Sequence, residues 1–289
     1  MYGECSMSFT TKLPLPIPDF NVSDEQHCFL ILDGSQIEKL EVLLLQQDLQ
    51  PHIICPARFL PLREVSAFIV KLTPEAMSWF IQYNRANVGY IIQSDANIEQ
   101  LANKLSDCFE VLSAYGSKVF FKVGQPEAIN VMLSDQACHL WAYLSKVWLP
   151  TRAGWVLLNH DETVKTQSLP EIYPLSDKQW QQLGDITRRN TAEKVYQHLN
   201  TYFPALLQQQ TEPLQWIKGW LHSANDMQFE TDVDIFHFFN ILALLGEAVF
   251  KTNHFPHIKK LLETPSTQTP SMRVAIADEL AHKEASRAK

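Results

Sequence analysis

The sequence predicts a protein of α+β or α/β class: an N-terminal α/β lobe on a mixed sheet, then a smaller all-helical C-terminal lobe. Three observations carry this expectation. Cys28 to Leu32 is an unbroken apolar run closed by Asp33-Gly34, the pattern of a strand buried on both faces. From there to about Leu133, short apolar runs alternate with helical patterns, as an α/β layer requires. Beyond about Pro170 no segment reads as a strand, and the patterns are helical.

Taken in order, the chain opens with Pro14, Pro16 and Pro18 in alternation, which blocks helix and favours an extended arm. After the first strand, Ser35 and Glu38 have the spacing of a capping box. Ile37, Leu40, Leu44 and Leu45 then share one helical face. His52 to Cys55 is a short apolar segment closed by Pro56, and Val65 to Leu72 reads as a strand. Thr73-Pro74 starts a helix running to about Arg85, with Pro at its first position. Gly89 to Gln93 is the next strand. Asn97 to Leu112 predicts one amphipathic helix, with Ile98, Leu101, Leu105, Phe109 and Leu112 on a single face. Lys118 to Val123 reads as a strand, and Pro126 opens a helix to about Leu133. One more helix is expected over Ala137 to Lys146, then a hairpin of Trp155–Asn159 and Thr163–Thr166.

The second half begins with Ser176-x-x-Gln179, a capping box opening a long helical stretch toward Leu207. Helical segments follow at Glu212 to Ser223, Asp232 to Phe250 and Pro256 to Glu263. The tail from Thr264 is rich in Thr, Ser and Pro, then polar and Ala-rich, and is expected to form a loose helix or to be disordered. The expected domains are an extended arm over 1–26, an α/β lobe over 27–170, a helical lobe over 171–265 and a flexible tail over 266–289.

Composition narrows the function. With 46% hydrophobic and 19% charged residues in 289, a sizeable core is expected. The net charge of −8 and a pI near 5.7 argue against a nucleic-acid surface, which needs clustered Lys and Arg, and against an anionic membrane surface. Cys5, Cys28, Cys55, Cys108 and Cys138 are scattered, with no C-x-x-C pair, which fits reduced thiols in a cytoplasmic protein. The N-terminus has no basic region followed by an apolar core, so no secretory signal is read there. Ile235 to Phe250 is the most apolar later stretch, but it contains His237, Asn240 and Glu247 and falls short of the ~20 residues that span a bilayer.

Candidate chemistry is sparse. The strand ending in Asp33-Gly34-Ser35 resembles the haloacid-dehalogenase phosphohydrolases, whose nucleophilic Asp stands two residues before the Asp-Gly pair. Here that position is Ile31, which cannot attack phosphorus, so Asp33 is expected to hold the turn through local backbone hydrogen bonds. His254 and His257, with Asp232, Asp234 and His237, lack any H-E-x-x-H or paired-Cys pattern for a metal, and Pro256 separates the two His. His160-Asp161-Glu162 reads as a polar turn. There is no G-x-S-x-G, no Walker loop and no G-x-G-x-x-G. No catalytic, cofactor-binding or metal residue is therefore assigned, which points to a protein that acts by binding.

The α/β region resembles the effector adaptor, or chaperone, family of bacterial type VI secretion, whose domain was long filed as one of unknown function. The likeness runs over about residues 28–160. It is carried by Phe29 to Gln36, by Ser66 to Leu72 (SAFIVKL), by Val88 to Ser94 (VGYIIQS), by the Leu101/Leu105 spacing and by Phe121 to Pro126 (FKVGQP). In the helical lobe only the style matches, through SDKQWQQL and FETDVDIFHF. Lys122 and Gln125 stand where the family has Arg and Asp, so a weaker polar contact is expected in place of an ion pair. The resemblance implies a non-enzymatic role. Such adaptors bind a specific toxic effector in the cytoplasm and load it onto the spike protein, with no cofactor or small-molecule substrate. The competing readings are a phosphohydrolase-like enzyme around Asp33 and an immunity protein that binds a toxin to block it.

Within the helical lobe, Leu214 to Leu221 (LQWIKGWL) draws attention as an effector-binding segment. At 100° per residue Leu214, Ile217 and Leu221 cluster, with Trp216 and Trp220 at the edge of the same arc. Either the helix is buried deep in the lobe, or its Trp edge is partly exposed as an interface hot spot.

Overall fold

The computed structural model describes residues 12–18, 20, 28–151, 153–166, 168 and 171–287. The chain divides into two units, Met1–Ile186 and Thr187–Lys289.

The first unit is built around strand β1, Cys28–Asp33, all of it buried. It pairs antiparallel with β3 (Ala67–Lys71) on one side and β4 (Gly89–Gln93) on the other. With β2 (His52–Ile54), β7 (Lys146–Thr151) and β8 (Gly154–Asn159) these form a six-stranded sheet of order β2-β3-β1-β4-β7-β8. Its central place explains the unbroken apolar run. Successive side chains point to opposite faces, so Phe29 and Ile31 enter one core while Leu30 and Leu32 enter another.

The first core is covered by α3 (Ile98–Ser106) and α4 (Pro126–Leu133), with Leu101, Leu105, Ile129 and Met132 buried. The second is covered by α1 (Leu40–Gln46) and α2 (Pro74–Tyr83), through Leu40, Leu44, Ala76 and Phe80. Thr73 and Asn97 cap α2 and α3 by accepting from the backbone N–H groups of Ala76 and Gln100. Leu13 and Phe20 of the N-terminal arm are buried in the second core, and the Trp155 indole donates to the Pro14 carbonyl at 2.8 Å. The rest of the expected arm, 1–11, 19 and 21–26, lies outside the described residues. A second, three-stranded sheet has the order β6-β5-β9, with β5 at Glu110–Leu112, β6 at Lys118–Phe120 and β9 at Tyr173–Pro174.

The fold is α+β. All pairings of the large sheet are antiparallel, and the parallel pairing among the described residues is β5 with β9. Several local expectations are corrected. Ser35 does not cap a helix: residues 34–39 form turns, and α1 starts at Leu40 after Lys39 in the left-handed region at φ 54°. No side chain caps α1, and Asp33 instead holds the turn after β1 by accepting from the Ser35 N–H. The long helix expected to reach Leu112 ends at Ser106, and Glu110–Leu112 becomes a strand. There β-branched Val111 pairs with Val119, and tertiary pairing overrides a helical spacing that runs on by coincidence. Ala137 to Lys146 holds only a short 3-10 turn, His139–Ala142. The hairpin is β7 with β8, from Lys146 to Asn159, rather than Trp155 to Thr166.

The second unit comprises the remainder of α5 (Asp177–Tyr202), then α6 (Pro204–Gln208), α7 (Pro213–Asp226), α8 (Asp232–Leu245), α9 (Ala248–Lys251), α10 (Pro256–Glu263) and α11 (Pro270–Arg287). The predicted capping box at the start of α5 forms: Ser176 Oγ accepts from the Gln179 N–H at 3.2 Å, and Gln179 Oε1 accepts from the Ser176 N–H at 2.9 Å. The core gathers Val195, Leu199, Ile217, Phe229, Phe238, Phe239, Leu242 and Val274.

Of the two readings of the tail, the helix is the one seen, as α11, and it is packed rather than loose, with Val274, Ala277 and Ala281 buried at helical spacing. Small side chains let α11 approach closely, and such a stripe contributes little apolar signal to a sequence pattern. The Arg273 guanidinium fixes the entry to α11 by donating to the carbonyls of Leu261, Leu262 and Thr264 at 3.0–3.2 Å.

Candidate functional site

Asp33 ends β1 with only 4% of its surface exposed. Its Oδ1 accepts from the Ser35 N–H at 2.9 Å, and its carbonyl accepts from the Gln36 N–H at 3.0 Å. The turn is wedged in place. A Cβ on Gly34 would collide with the Ser66 carbonyl oxygen, and one on Gly124 would stand 2.9 Å from the Asp33 Cα. Burial raises the Asp33 pKa, while the Ser35 bonds and the nearby Lys122 charge oppose that rise. Ile31, the position a phosphohydrolase would need as an acid, is wholly buried. This is the geometry of a structural turn. Lys122 and Gln125 meet through a backbone bond, Gln125 N–H to Lys122 O at 3.0 Å.

The fold also creates a pairing that sequence spacing does not suggest. Cys108 Sγ lies 3.2 Å from His139 Nε2, and Cys138 Sγ 4.0 Å from Nδ1. A thiol beside an imidazole is the arrangement of a cysteine nucleophile. Here burial pushes the Cys108 thiol well above its ordinary range and the Cys138 thiol to about 12, and it holds His139 below its usual value. Burial thus disfavours both the thiolate and the imidazolium, the charged pair that an activated cysteine needs, and the contact packs as a buried polar one.

In the second unit, the buried Asp278 carboxylate receives His237 Nδ1 at 2.7 Å and Asn240 Nδ2 at 3.0 Å on Oδ2, with His282 Nδ1 3.1 Å from Oδ1. His254 and His257 are exposed, Asp232 pairs with Lys194, and Asp234 accepts from Ser271. The imagined metal set is thus dispersed. Among the described residues no group of three or more His, Cys, Asp or Glu could hold a metal ion. His160 stacks on Trp141 at 5.6 Å. Among the described residues, no helix is long and apolar enough to cross a membrane.

Helix α7 carries the two tryptophans singled out above. Ile217, Leu221 and Ala224 are buried, while Gln215, Lys218, Gly219 and His222 are exposed, so the apolar arc falls where the helical wheel puts it. Trp216 and Trp220 are half-buried at its edge. Trp216 packs edge-on to Phe239 at 5.9 Å; Trp220 lies 5.0 Å from Phe250 and 6.2 Å from Phe238. Both indole N–H groups donate to Glu247 Oε1, at 3.0 and 3.4 Å, and Lys251 pairs with Oε2. The Lys251 ammonium first, then the Trp216 bond, holds the Glu247 carboxyl below the usual carboxylate range. Glu247 is the residue that spacing on α7 cannot find, because it comes from the turn after α8. Its one trace is a carboxylate interrupting an otherwise apolar run. The arrangement leaves the outer ring edges of two tryptophans at the surface, held in fixed orientation by a carboxylate and three phenylalanines.

Residues 28–143 match the family described as "Domain of unknown function (DUF4123)". The chain is also 35% identical over 270 residues to the "Accessory protein VasW" of Vibrio cholerae serotype O1 (strain ATCC 39315 / El Tor Inaba N16961), covering 92% of this chain and 91% of that protein. No solved structure matches the chain.

Proposed function

The chain belongs to the DUF4123 family, the effector adaptors of type VI secretion that its strand motifs resemble, and we propose that it binds one toxic effector in the cytoplasm and helps load it onto the spike protein. The observation that carries this reading is similarity to an accessory protein along nearly the whole chain, both units included. Family membership supports an accessory role in type VI secretion; capture of the effector and delivery to the spike are the proposed steps. The site geometry is consistent with binding rather than chemistry. Asp33 is engaged in its turn, and burial raises the pKa of both thiols beside His139, which disfavours the thiolate.

On this reading the Trp216–Trp220 edge contributes to the effector grip. Half-buried indoles held by Glu247 offer rigid aromatic area at low entropic cost, the character of interface hot spots. The test is co-purification of the tagged chain from its native bacterium with a toxin and with the spike protein, together with an export assay in a deletion strain. The reading requires a stable complex and loss of export of that toxin alone. Export of every toxin unchanged would overturn it. Protection of a target cell by the chain would instead make it an immunity protein.

A further inference from the structure

The small sheet of the first unit presents a face that neither core uses. Val111 and Val119 turn inward against the first core, so by alternation Glu110, Leu112, Lys118 and Phe120 share the opposite face. There Phe59, Phe109 and Phe120 form a closed set of rings. Phe59 stacks on Phe109 at 5.3 Å, Phe120 meets Phe59 edge-on at 5.3 Å, and Phe109 meets Phe120 at 5.5 Å. None of the three belongs to a buried core cluster, and Phe120 is 59% exposed. Leu60 and, at the β5–β6 turn, Tyr115 are exposed as well. A half-buried pair of rings, Phe59 and Phe109, topped by an exposed third, Phe120, marks a contact surface.

The charges around it say what kind of contact. The molecule carries −8 overall, yet Arg58 and Lys118 border this face and are exposed, and Lys122, two residues beyond Phe120, is exposed and close enough to the Asp33 turn to act on it. Glu110 is neutralised by Arg58, whose guanidinium also lies 4.9 Å over the Phe59 ring. Asp107 is paired with Lys104 at 3.6 Å. Lys122 is sensed by the buried Asp33, but among the described residues neither Lys118 nor Lys122 has an ion-pair partner within 4 Å. A two-fold contact between copies would set lysines against lysines, which disfavours self-association through this face.

We propose that this face docks an extended acidic segment of a partner protein, which seats an aromatic or aliphatic side chain against Phe59 and Phe120 and lays carboxylates on Lys118 and Lys122. The surface lies wholly within the first unit and does not depend on the Trp216–Trp220 edge. Its test needs no effector and so fails or succeeds independently of the adaptor reading.

The probe is a phage-displayed random peptide library panned on the full-length chain. The counter-target is a Phe120→Ser/Lys118→Glu/Lys122→Glu variant whose melting temperature and circular dichroism are first matched to the parent. Enriched peptides should carry Asp or Glu flanking an aromatic or aliphatic residue. A synthetic peptide of the enriched sequence should lose tenfold or more in affinity on Phe120→Ser alone, and likewise on the double lysine reversal, and should bind more weakly as salt rises. No enrichment over the variant, enrichment of basic or uncharged peptides, or binding unaffected by these substitutions would each overturn the proposal. So would a concentration-dependent dimer that Phe120→Ser dissolves, which would make the face a contact between copies.

Discussion

Trp216 and Trp220, one turn apart on α7, donate their indole N–H groups to a single oxygen, Glu247 Oε1, at 3.0 and 3.4 Å. The shared acceptor couples three side chains from two segments. It also means that the tryptophans are neither wholly core nor freely exposed, so their truncation is expected to touch both stability and binding.

Trp220→Ala removes ring packing on Phe250 and Phe238 together with one hydrogen bond. Because the residue is half-buried, a loss of about 2 kcal/mol is expected, below the 3–5 kcal/mol of a fully buried Trp truncation. Trp220→Phe keeps most of the packing and should cost only about 1 kcal/mol for the hydrogen bond. Urea unfolding measures both. If Trp220→Ala is as stable as the parent and binds its effector fully, the edge has neither role.

Glu247→Gln tests the hub. The folded carboxyl titrates below its unfolded value, so its contribution is fully present above the ordinary carboxylate range and is lost as pH falls through the folded value. The stability gap between parent and Glu247→Gln should therefore be widest near neutral pH and close in acid. Side-chain exposure of 35% keeps the gap small. A gap that stays constant between neutral and acid pH would remove the ionic part of the explanation.

Asp33 is predicted to behave in the opposite sense. Burial raises its folded pKa, so ionising it costs folding stability as pH rises through the carboxylate range. Asp33→Asn keeps an acceptor for the Ser35 N–H and does not titrate, so the parent should lose ground to it as pH increases. Asp33→Ala also loses the acceptor and should be roughly 1 kcal/mol less stable than Asp33→Asn throughout. Thermal melts across pH read both. Equal pH profiles for the parent and the Asn variant would contradict a buried, titrating Asp33.

Helix α11 is predicted to be integral to the second unit. Ala277 is fully buried, so Ala277→Leu overpacks the interface of α11 and should cost about 1–3 kcal/mol. Truncation before Pro270 should expose the α8 and α10 surfaces that Val274 and Ala281 help cover and lower the melting temperature sharply. A truncated chain with the melting temperature of the parent would restore the loose-tail description.

Much of the fold can be read from local chemistry, because its signals are short-range. Thr73-Pro74 and Asn97 start their helices where capping demands, and Ser176 with Gln179 closes the predicted capping box. Cys28 to Leu32 declares a strand buried on both faces, because only a central strand can hide every side chain. The α7 arc of Ile217 and Leu221 with flanking tryptophans likewise follows from helical periodicity alone.

What local pattern could not reach depends on partners distant in the chain. The spacing of Leu101, Leu105, Phe109 and Leu112 is helical, yet Val111 is drawn into a strand by Val119 and Tyr173. Ala277 and Ala281 look like a polar tail because their value lies in being small against α8, a property of two surfaces together. The shared acceptor Glu247, the Cys108–His139 contact and the ring set of Phe59, Phe109 and Phe120 join residues 11 to 61 positions apart. Periodicity governs which face of an element is apolar. Which polar group or ring meets that face is set by the packing of one element on another, and no spacing within either element contains it.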